Sequence, residues 1–403
     1  MTLRGSPLAP GRDRAVDMFR GATVALMILV NNPGTWKHLY PALEHAKWHG
    51  CTLTDLVFPF FLFAVGHALA LSVNSDEQKS APVDFAHRWW QRTAWIFGIG
   101  LFLNASPFVR WDAQGELTWR SWDTLRLMGV LQRIALCWAL AALIVRWGRW
   151  RAALGSSAAL LLGYWAACES WARGPDPYSL EGFFGTHWDR AWLGASHLYR
   201  GEGVPFDPEG LASTAPAVAQ VLLGYLAGQW WLRRRDDPRL PLQWGLAAVA
   251  LCVLGGGWQF LMPLNKKIWT SSYVLWTTGW AVAAMATMVM TQRWSAHSRS
   301  ASWCQSAMRP WGHLWVAFGR NALAIFALSG LVPRLLTLWR IEDGLTAEGA
   351  PRWITPLPWI YRTVFEPMTA DPRASSLLFA MVTVGVYGAL ALWLDRRGLY
   401  WRV

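Results

Sequence analysis

The sequence has 403 residues, of which 54% are hydrophobic and only 15% are charged, and it contains 31 tryptophans. Soluble domains carry roughly 25% charged residues, and indoles concentrate at the membrane–water interface. This composition excludes an ordinary soluble enzyme and predicts an integral membrane protein. The formal net charge of +12 is explained by basic loops that face anionic lipid. We therefore expect contact with a lipid bilayer and no nucleic-acid partner.

A transmembrane helix needs about 20 mostly apolar residues, and ten windows of the chain meet this requirement. They lie at about 15–36, 52–74, 86–104, 123–147, 150–171, 211–232, 240–262, 267–291, 311–333 and 374–394. The sequence therefore predicts an all-α, polytopic membrane protein. We expect residues 1–403 to form a single transmembrane domain, with residues 1–14 as a polar tail before the first span.

Two segments at the ends of the chain need separate interpretation. Residues 352–368 are apolar but contain Pro356, Pro358 and Arg362, so we interpret them as interfacial or re-entrant, with an eleventh span as the alternative. The first apolar run is too long for a signal peptide and lacks a small-residue cleavage site. We expect it to remain as a span.

The distribution of arginine predicts the orientation, because short basic loops stay on the cytoplasmic side. With ten spans the two termini share one side with the basic segments 146–151 and 233–239, whereas the long loop 172–209 on the other side has few arginines. Both termini are therefore predicted to be cytoplasmic. On the outer side we expect the polar segments LEHAKWHG (43–50), PFDPEG (205–210) and MPLNKKIW (262–269) to meet.

Polar residues inside the predicted spans indicate function, because each costs roughly 2.5–3.5 kcal/mol at a helix centre unless it is paired or hydrated. They are Asp17, Arg20, Asn31 and Asn32 in the first span, Arg126, Gln132 and Arg133 in the fourth, and Arg320 and Asn321 in the ninth. Asp17 and Arg20 have the i,i+3 spacing of an ion pair, which is the alternative to ligand contact. Arg126 lies near enough to a span end to reach the interface. Cations at membrane depth point to an anionic ligand.

The cysteines predict neither a disulfide framework nor a metal site, because they are odd in number and widely spaced. They are Cys51, Cys137, Cys168, Cys252 and Cys304.

Six segments in chain order carry a family resemblance. They are DMFRGATVALMILVNNPG (17–34), LEHAKWHGCTLTDLVFPFFLFAVGHALALS (43–72), RLMGVLQRIA (126–135), FDPEGLASTAPAVAQVLLGYLAG (206–228), PLNKKIWTSSYVLWTTGW (263–280) and DRRGLYWRV (395–403). Together they resemble the heparan-α-glucosaminide N-acetyltransferase family, and most closely its bacterial NagX-like membrane proteins. The resemblance runs from about residue 14 to the end of the chain.

This resemblance implies an activity and its participants. The acetyl group of cytosolic acetyl-CoA would pass to the amine of a glucosamine-type sugar on the periplasmic side of a bacterial inner membrane, and the protein would be a homodimer. The family pattern HAxWNG matches HAKWHG here and selects His45 as the active histidine, with His49 where the family often has asparagine. The asparagine that ends the preceding span matches Asn31.

Chemistry gives an independent reason for these residues. Histidine, with an unperturbed pKa of about 6.5, suits a general base for the sugar amine, and an asparagine amide can donate to the oxyanion. Asp55 is the expected partner of His45, although it could equally cap the second span. Glu44 is adjacent to His45 and would point elsewhere. Direct transfer in one cavity is favoured by proximity, with an acetyl-histidine intermediate as the alternative.

Further candidates come from charge and from position in the outer loops. Arg20, Arg133, Arg320 and Asn321 are candidates for binding the polyanionic donor. The candidates for the acceptor are Glu44, Trp48, Asp207, Glu209 and Lys266. The competing hypothesis is an amino-sugar or N-acetylglucosamine transporter, but such carriers often show internal repeats and we find none. A membrane scaffold leaves the His45 and Asn31 motif unexplained.

Overall fold

The computed structural model describes residues 14–74, 82–112, 114–297, 302–345, 349 and 351–401. The predicted tail lies outside these residues except for Arg14. The helices are α1 (Arg14–Asn31), α2 (Val57–Asn74), α3 (Pro82–Ala105), α4 (Val130–Ser170), α5 (Phe184–Leu193), α6 (Thr214–Arg234), α7 (Leu240–Trp258), α8 (Ser271–His297), α9 (Ser302–Arg320), α10 (Ala322–Leu336), α11 (Pro356–Ile360) and α12 (Pro372–Arg396). The strands are β1 (Val109–Trp111), β2 (Leu117–Trp119), β3 (Ile341–Leu345) and β4 (Pro351–Ile354).

Helices occupy all ten predicted windows, which confirms a predominantly helical, multi-pass membrane protein. In the described part of the chain, five helices are long and apolar enough to cross a membrane, and a bent pair would make a sixth. The five are Thr54–Val73, Val130–Ser170, Leu240–Trp258, Ser271–Arg293 and Pro372–Arg396. The count of ten spans and the cytoplasmic position of the termini stay predictions.

The fourth and fifth windows form one 41-residue helix, α4, which is broken at Arg149 (φ 50°, ψ −140°), where the sequence predicted the boundary between two spans. The predicted start of the fourth span at residue 123 is wrong. Trp122–Thr124 form a 3-10 turn in which the Asp123 N–H donates to the Ser121 hydroxyl, and the helix begins at Val130, after an extended Gly129. Arg126 therefore lies in a loop rather than in a span.

The ninth window is a broken helix. The described part of α9 and α10 meet at Asn321 with a bend of 82°, and Asn321 itself is buried. Its side-chain oxygen accepts a hydrogen bond from the N–H of Trp401 at 3.3 Å. The C-terminal segment is thereby tied to the break.

Residues 352–368 contain no helix of spanning length. After β4 they form α11, a π-helical turn (Tyr361–Phe365) and a 3-10 turn (Glu366–Met368), so the structure supports the interfacial or re-entrant interpretation over an eleventh span. Two antiparallel hairpins, β1–β2 and β3–β4, were not predicted, because strands of three to five residues are too short to give a clear alternation.

Close helix contacts depend on glycine. A Cβ on Gly21 would lie 1.8 Å from the carbonyl oxygen of Trp315, and one on Gly319 would lie 1.9 Å from that of Asp17. The same reciprocal arrangement joins Gly66 of α2 to α6. Small residues let helix backbones approach closely in membranes, and they fix α1 against α9 and α2 against α6.

One end of the bundle, here called the loop end, carries the segments 32–56, 106–129, 171–213 and 259–270. The N–H of Gly50 donates to the carbonyl oxygen of Leu264 at 2.7 Å. The indole N–H of Trp48 donates to the carbonyl oxygen of Tyr178 at 2.8 Å, and the Trp48 ring lies 5.9 Å from the Phe206 ring. The prediction that the three polar segments meet is confirmed.

The topology can be tested by labelling. A thiol introduced by Lys47→Cys at the loop end should react with an impermeant reagent added outside intact cells, because Lys47 is exposed and the arginine distribution assigns this end to the outside. A thiol introduced by Asp236→Cys, whose side chain is 98% exposed, serves as the control and should react only after permeabilisation. The reverse pattern would contradict the predicted orientation.

Candidate active site

The centre of the site is a hydrogen bond between His45 and Asp55. Nδ1 of His45 lies 2.7 Å from Oδ1 of Asp55, and the side chains are 42% and 1% exposed. Because a carboxylate can only accept, Nδ1 carries the shared proton, and Nε2 is the ring nitrogen left to exchange one. This is the arrangement of a histidine base oriented by a buried carboxylate.

Local structure explains why Asp55 faces His45. Its second oxygen accepts hydrogen bonds from the N–H groups of Ala46 and Thr52 and from the Thr52 hydroxyl, each at 3.0 Å. Asp55 therefore ties the loop to the 3-10 turn Thr54–Leu56 and contacts His45, as predicted. The sequence left two roles open for Asp55, a partner of His45 or a cap on α2. Its described hydrogen bonds match the first role.

Lys266 from the loop between α7 and α8 completes this cluster. Its Nζ lies 3.0 Å from Nδ1 and 3.4 Å from Nε2 of His45, and 3.5 Å from Oδ1 of Asp55. Burial lowers the pKa of Lys266, and the negative charges of Asp55 and Glu209 oppose that shift. The buried carboxylate thus faces two basic groups, and the amine of Lys266 lies at the edge of the imidazole.

The loop that carries His45, here called the histidine loop, comprises residues 44–53. Its other residues have different surroundings. Nδ1 of His49 lies 3.5 Å from the side-chain nitrogen of Asn265, and burial lowers the pKa of His49. Trp48, a candidate for the acceptor, is fixed by its indole bond and by the Lys267 ammonium 5.7 Å from its ring. The Glu44 side chain is exposed and makes no contact described for this part of the chain.

The predicted acceptor residues Asp207 and Glu209 are both engaged by Arg126. The guanidinium donates to the two oxygens of Asp207 at 2.8 and 2.6 Å and to Glu209 at 2.5 Å, and it lies 4.9 Å from the Tyr199 ring. These carboxylates raise the pKa of Arg126 against the effect of burial. Their charge is used to hold Arg126 in place.

A cavity of about 350 Å³, here called the amide cavity, opens beside Arg126. Its lining is rich in amide side chains and arginine. The residues are Asn31, Asn32, Gly100, Leu103, Asn104, Arg126, Gly129, Val130, Leu131, Gln132, Phe326, Ser329, Gly330, Pro333 and Arg334. The predicted Asn31 therefore faces this cavity. No described hydrogen bond joins it to His45, but α1 contacts the turn that carries Asp55.

A second cavity of about 290 Å³, here called the arginine cavity, lies between α1, α2, α3, α4, α9 and α10. Its lining residues are Arg20, Phe61, Val65, Arg92, Ile96, Leu131, Ile134, Trp138, Arg320, Ala322, Leu323 and Trp401. The two cavities share Leu131 and follow each other along the helices. From Arg20 to Asn31 on α1 the rise is about 16 Å.

A smaller cavity of about 70 Å³ continues from the arginine cavity through Arg92 and Trp138, and it adds Arg88 and Arg146. Arg146 lies 5.3 Å from the Phe85 ring, beside the break in α4. Guanidinium groups thus line both the smaller cavity and the arginine cavity, towards the end of the bundle opposite the loop end.

The four predicted donor-binding residues do not share one place. Arg20 and Arg320 line the arginine cavity, and Arg320 also donates to Asp395 at 2.9 Å. Asn321 lies at the break beside them. Arg133 is elsewhere: it is fully buried, and it donates to the carbonyl oxygen of Gly210 at 3.0 Å and to the hydroxyl of Ser213, directly before α6.

Sequence reasoning missed four arginine and asparagine residues of the cavities, Arg88, Arg92, Arg334 and Asn104. Arg92 had a usable signal, because it is an arginine inside the predicted third span. Arg334 falls one residue beyond the predicted ninth span, and Asn104 falls at the last residue of the third. Neither position stands out in a hydropathy profile.

Within the described residues, no group of three or more histidine, cysteine, aspartate or glutamate side chains is placed to hold a metal ion. Cys51, Cys137, Cys168 and Cys252 are free thiols.

Comparison with known proteins places this architecture in a family. Residues 12–264 match the model of the heparan-alpha-glucosaminide N-acetyltransferase catalytic domain. The chain is 30% identical over 335 residues to the human heparan-alpha-glucosaminide N-acetyltransferase, covering 68% of the chain and 47% of the human protein. The chain belongs to this family. The mouse enzyme of the same name is 28% identical over 317 residues, 65% of the chain and 46% of that protein.

The chain thus spans about half the length of the curated relatives it matches. The family match includes Asn31, His45, Asp55 and the Arg126 cluster, and it ends just before Lys266. Arg320 and Arg334 lie beyond the part of the chain matched by the family model.

A pH dependence follows from Asp189 on α5. Burial raises its pKa from 3.8 to about 6, although the hydrogen bond from the Ala212 N–H acts to lower the pKa. The folded state therefore favours the protonated acid, so this contribution to stability is present below about pH 4 and is lost as the pH rises through about 6. The melting temperature of Asp189→Asn should fall less than that of the parent between pH 4 and 7. Parallel melting curves would contradict this assignment.

Proposed function

We propose that this protein is a transmembrane acetyltransferase that moves the acetyl group of acetyl-CoA to the amine of a glucosamine-type sugar at the loop end. The observation that carries the proposal is the series of cavities between α1, α3, α4 and α10. It begins among arginines at the end of the bundle opposite the loop end and continues to amide side chains at the loop end, where α1 contacts the turn that bears Asp55. An enzyme joining a cytosolic donor to an outer acceptor requires such a path.

The donor binds with its phosphates among Arg20, Arg92 and Arg320. Guanidinium groups form strong, charge-assisted hydrogen bonds with phosphate oxygens, and the basic loops that predict a cytoplasmic face lie at this end. The pantetheine arm extends along the shared helices past Leu131. The thioester then reaches the amide cavity.

The acceptor amine meets the thioester at the loop end. The amine nitrogen attacks the thioester carbon and loses a proton to Nε2 of His45, and the sulfur of coenzyme A leaves with the bonding electrons. Asp55 stabilises the imidazolium through Nδ1. The side-chain nitrogen of Asn31 is the donor for the oxyanion.

Direct transfer is preferred to an acetyl-histidine intermediate. A donor and an acceptor that meet in one cavity gain the advantage of proximity, and His45 is held in its loop by Asp55 and Lys266. Acid quench of the enzyme with labelled acetyl-CoA and no acceptor distinguishes the routes, because label retained on the protein at His45 would require the two-step route.

We further propose a bacterial inner-membrane location and a homodimer. The location is supported by the resemblance to NagX-like proteins and by the arginine distribution, and the dimer by the family resemblance alone. Light scattering of the detergent-solubilised protein measures the oligomeric state, and a monomer would contradict the dimer.

The central test uses the purified full-length protein with labelled acetyl-CoA and a panel of amino sugars. N-acetylated sugar and free coenzyme A in equal amounts are expected. Uptake of sugar into proteoliposomes without acetylation would instead favour the transporter hypothesis.

His45 variants test the assignment of the base. His45→Ala should lower turnover by about 10²- to 10⁴-fold, the usual loss for a general base, while acetyl-CoA binding persists because the phosphates do not contact the imidazole. His49→Ala is the matched control in the same loop and should be much milder. Asn31→Ala should lower turnover with little change in donor binding. Full activity of His45→Ala with loss in His49→Ala would show that the histidine is misassigned.

Arginine variants test the donor site. Acetyl-CoA should raise the melting temperature of the parent, since a ligand of the folded state stabilises it, and Arg20→Gln or Arg92→Gln should diminish that rise. Arg151→Gln removes an exposed arginine at the same end and serves as the control. An unchanged rise in both cavity variants would refute the donor site.

A further inference from the structure

The amide cavity has a charge that the transfer reaction itself does not require. None of its described lining residues is aspartate or glutamate, whereas two are arginine. Arg126 is compensated by Asp207 and Glu209, which bind its guanidinium from outside the lining. The second arginine, Arg334, has a different environment.

Arg334 is half-buried at the C-terminal end of α10. Its described hydrogen bond is to the carbonyl oxygen of Gly330, at 3.1 Å, in its own helix. Arg120 and Arg126 lie near enough to act on it with like charge. Among the described residues, no carboxylate forms an ion pair with Arg334, so its charge is available to the cavity.

Gln132 provides a second, independent observation. It lines the same cavity and is 1% exposed, yet its side-chain nitrogen has no hydrogen-bond partner among the described atoms. A buried donor without a partner costs about 1–3 kcal/mol. The cavity thus presents an unsatisfied N–H donor together with an uncompensated guanidinium, and both favour a ligand that brings acceptor oxygens and negative charge.

We propose that the acceptor is an acidic amino sugar, and that Arg334 binds its carboxylate, sulfate or phosphate group in the amide cavity. This proposal rests on the proposed function, because it specifies the acceptor of the same site. The anion is a part of the acceptor and not of the donor. The phosphates of acetyl-CoA occupy the arginine cavity, about 16 Å away along α1, and the pantetheine arm is uncharged.

The position of Arg334 suits a specificity determinant. It lies on α10, whereas His45 and Asp55 belong to the loop before α2 and to the turn that follows it. Arg126 lies between the two groups, since it lines the cavity and binds Glu209, whose charge also acts on Lys266. An acceptor can therefore place its anion at Arg334 while its amine points towards His45.

The experiment compares neutral glucosamine with three acidic analogues: glucosamine 6-sulfate, glucosamine 6-phosphate and a glucosamine bearing a 3-O-lactyl carboxylate. The readout is the ratio of kcat/KM for each acid to that for glucosamine. We expect at least one acidic sugar to exceed the neutral one by about 10- to 100-fold, the range expected for a hydrogen bond to a charged group. The identity of the preferred acid distinguishes carboxylate from sulfate and phosphate.

Arg334→Gln should reduce this ratio towards one, mainly through KM, and Arg334→Lys should restore part of it because the charge is kept. Arg340→Gln is the matched control, since Arg340 lies 4.1 Å from the Trp111 ring and does not line the cavity; its ratio should equal that of the parent. A ratio near one for every acid in the parent, or a ratio unaffected by Arg334→Gln, would overturn the proposal.

A binding measurement separates failure of this proposal from failure of the proposed function. Without acetyl-CoA, the acidic sugars should raise the melting temperature of the parent more than glucosamine does, and Arg334→Gln should abolish the difference. If no sugar is acetylated but this difference is observed, the transferase function fails and the anion site stands. If sugars are acetylated and stabilise equally, the anion site fails alone.

Discussion

The constraint on which the rest of the structure depends is that a charged side chain in a bilayer must face a partner or an interior cavity. Arg20 on α1, Arg92 on α3 and Arg320 at the end of α9 meet this constraint together, because all three line one cavity between the helices. The glycine contacts that fix α1 against α9 hold one wall of that space in place. The helices that pack through these glycine contacts are therefore also helices that line the arginine cavity.

At the loop end the constraint is met by hydrogen bonding. Asp55 is buried, and the described partners of its carboxylate are His45, Ala46, Thr52 and Lys266. Its carboxylate thus fixes the loop fold and orients the His45 ring at the same time. Replacing it would change the position of the base as well as its electrostatics, so its contribution has to be read from variants of the histidine itself.

The sequence predicted features that depend on residues close together in the chain. It did not predict features that depend on the direction in which a side chain points in the folded protein. Hydropathy found the long helices but missed α5, a ten-residue helix in the predicted loop 172–209, and the contact of His45 with Asp55 was expected because only nine residues separate them. Hydropathy could not place the start of α4, because the apolar residues before Gly129 resemble a span. Nor could it assign Arg133, since positions two residues apart on α4 have different neighbours: Leu131 lines both cavities, and Arg133 contacts the segment directly before α6.

Under the proposed function, the two cavities give each end of the bundle a separate role in one reaction. Acetyl-CoA carries phosphates that favour water or arginine and cannot cross hydrocarbon unaided, whereas its acetyl group is small and uncharged. A protein that retains the phosphates at one end and admits only the arm to the other moves the acetyl group across without moving the charge. The bend at Asn321 contributes here, because it brings Arg320 to the arginine cavity while α10 continues to the amide cavity. In the proposed reaction, the acetyl group therefore crosses to the loop end and joins the acceptor in one chemical step.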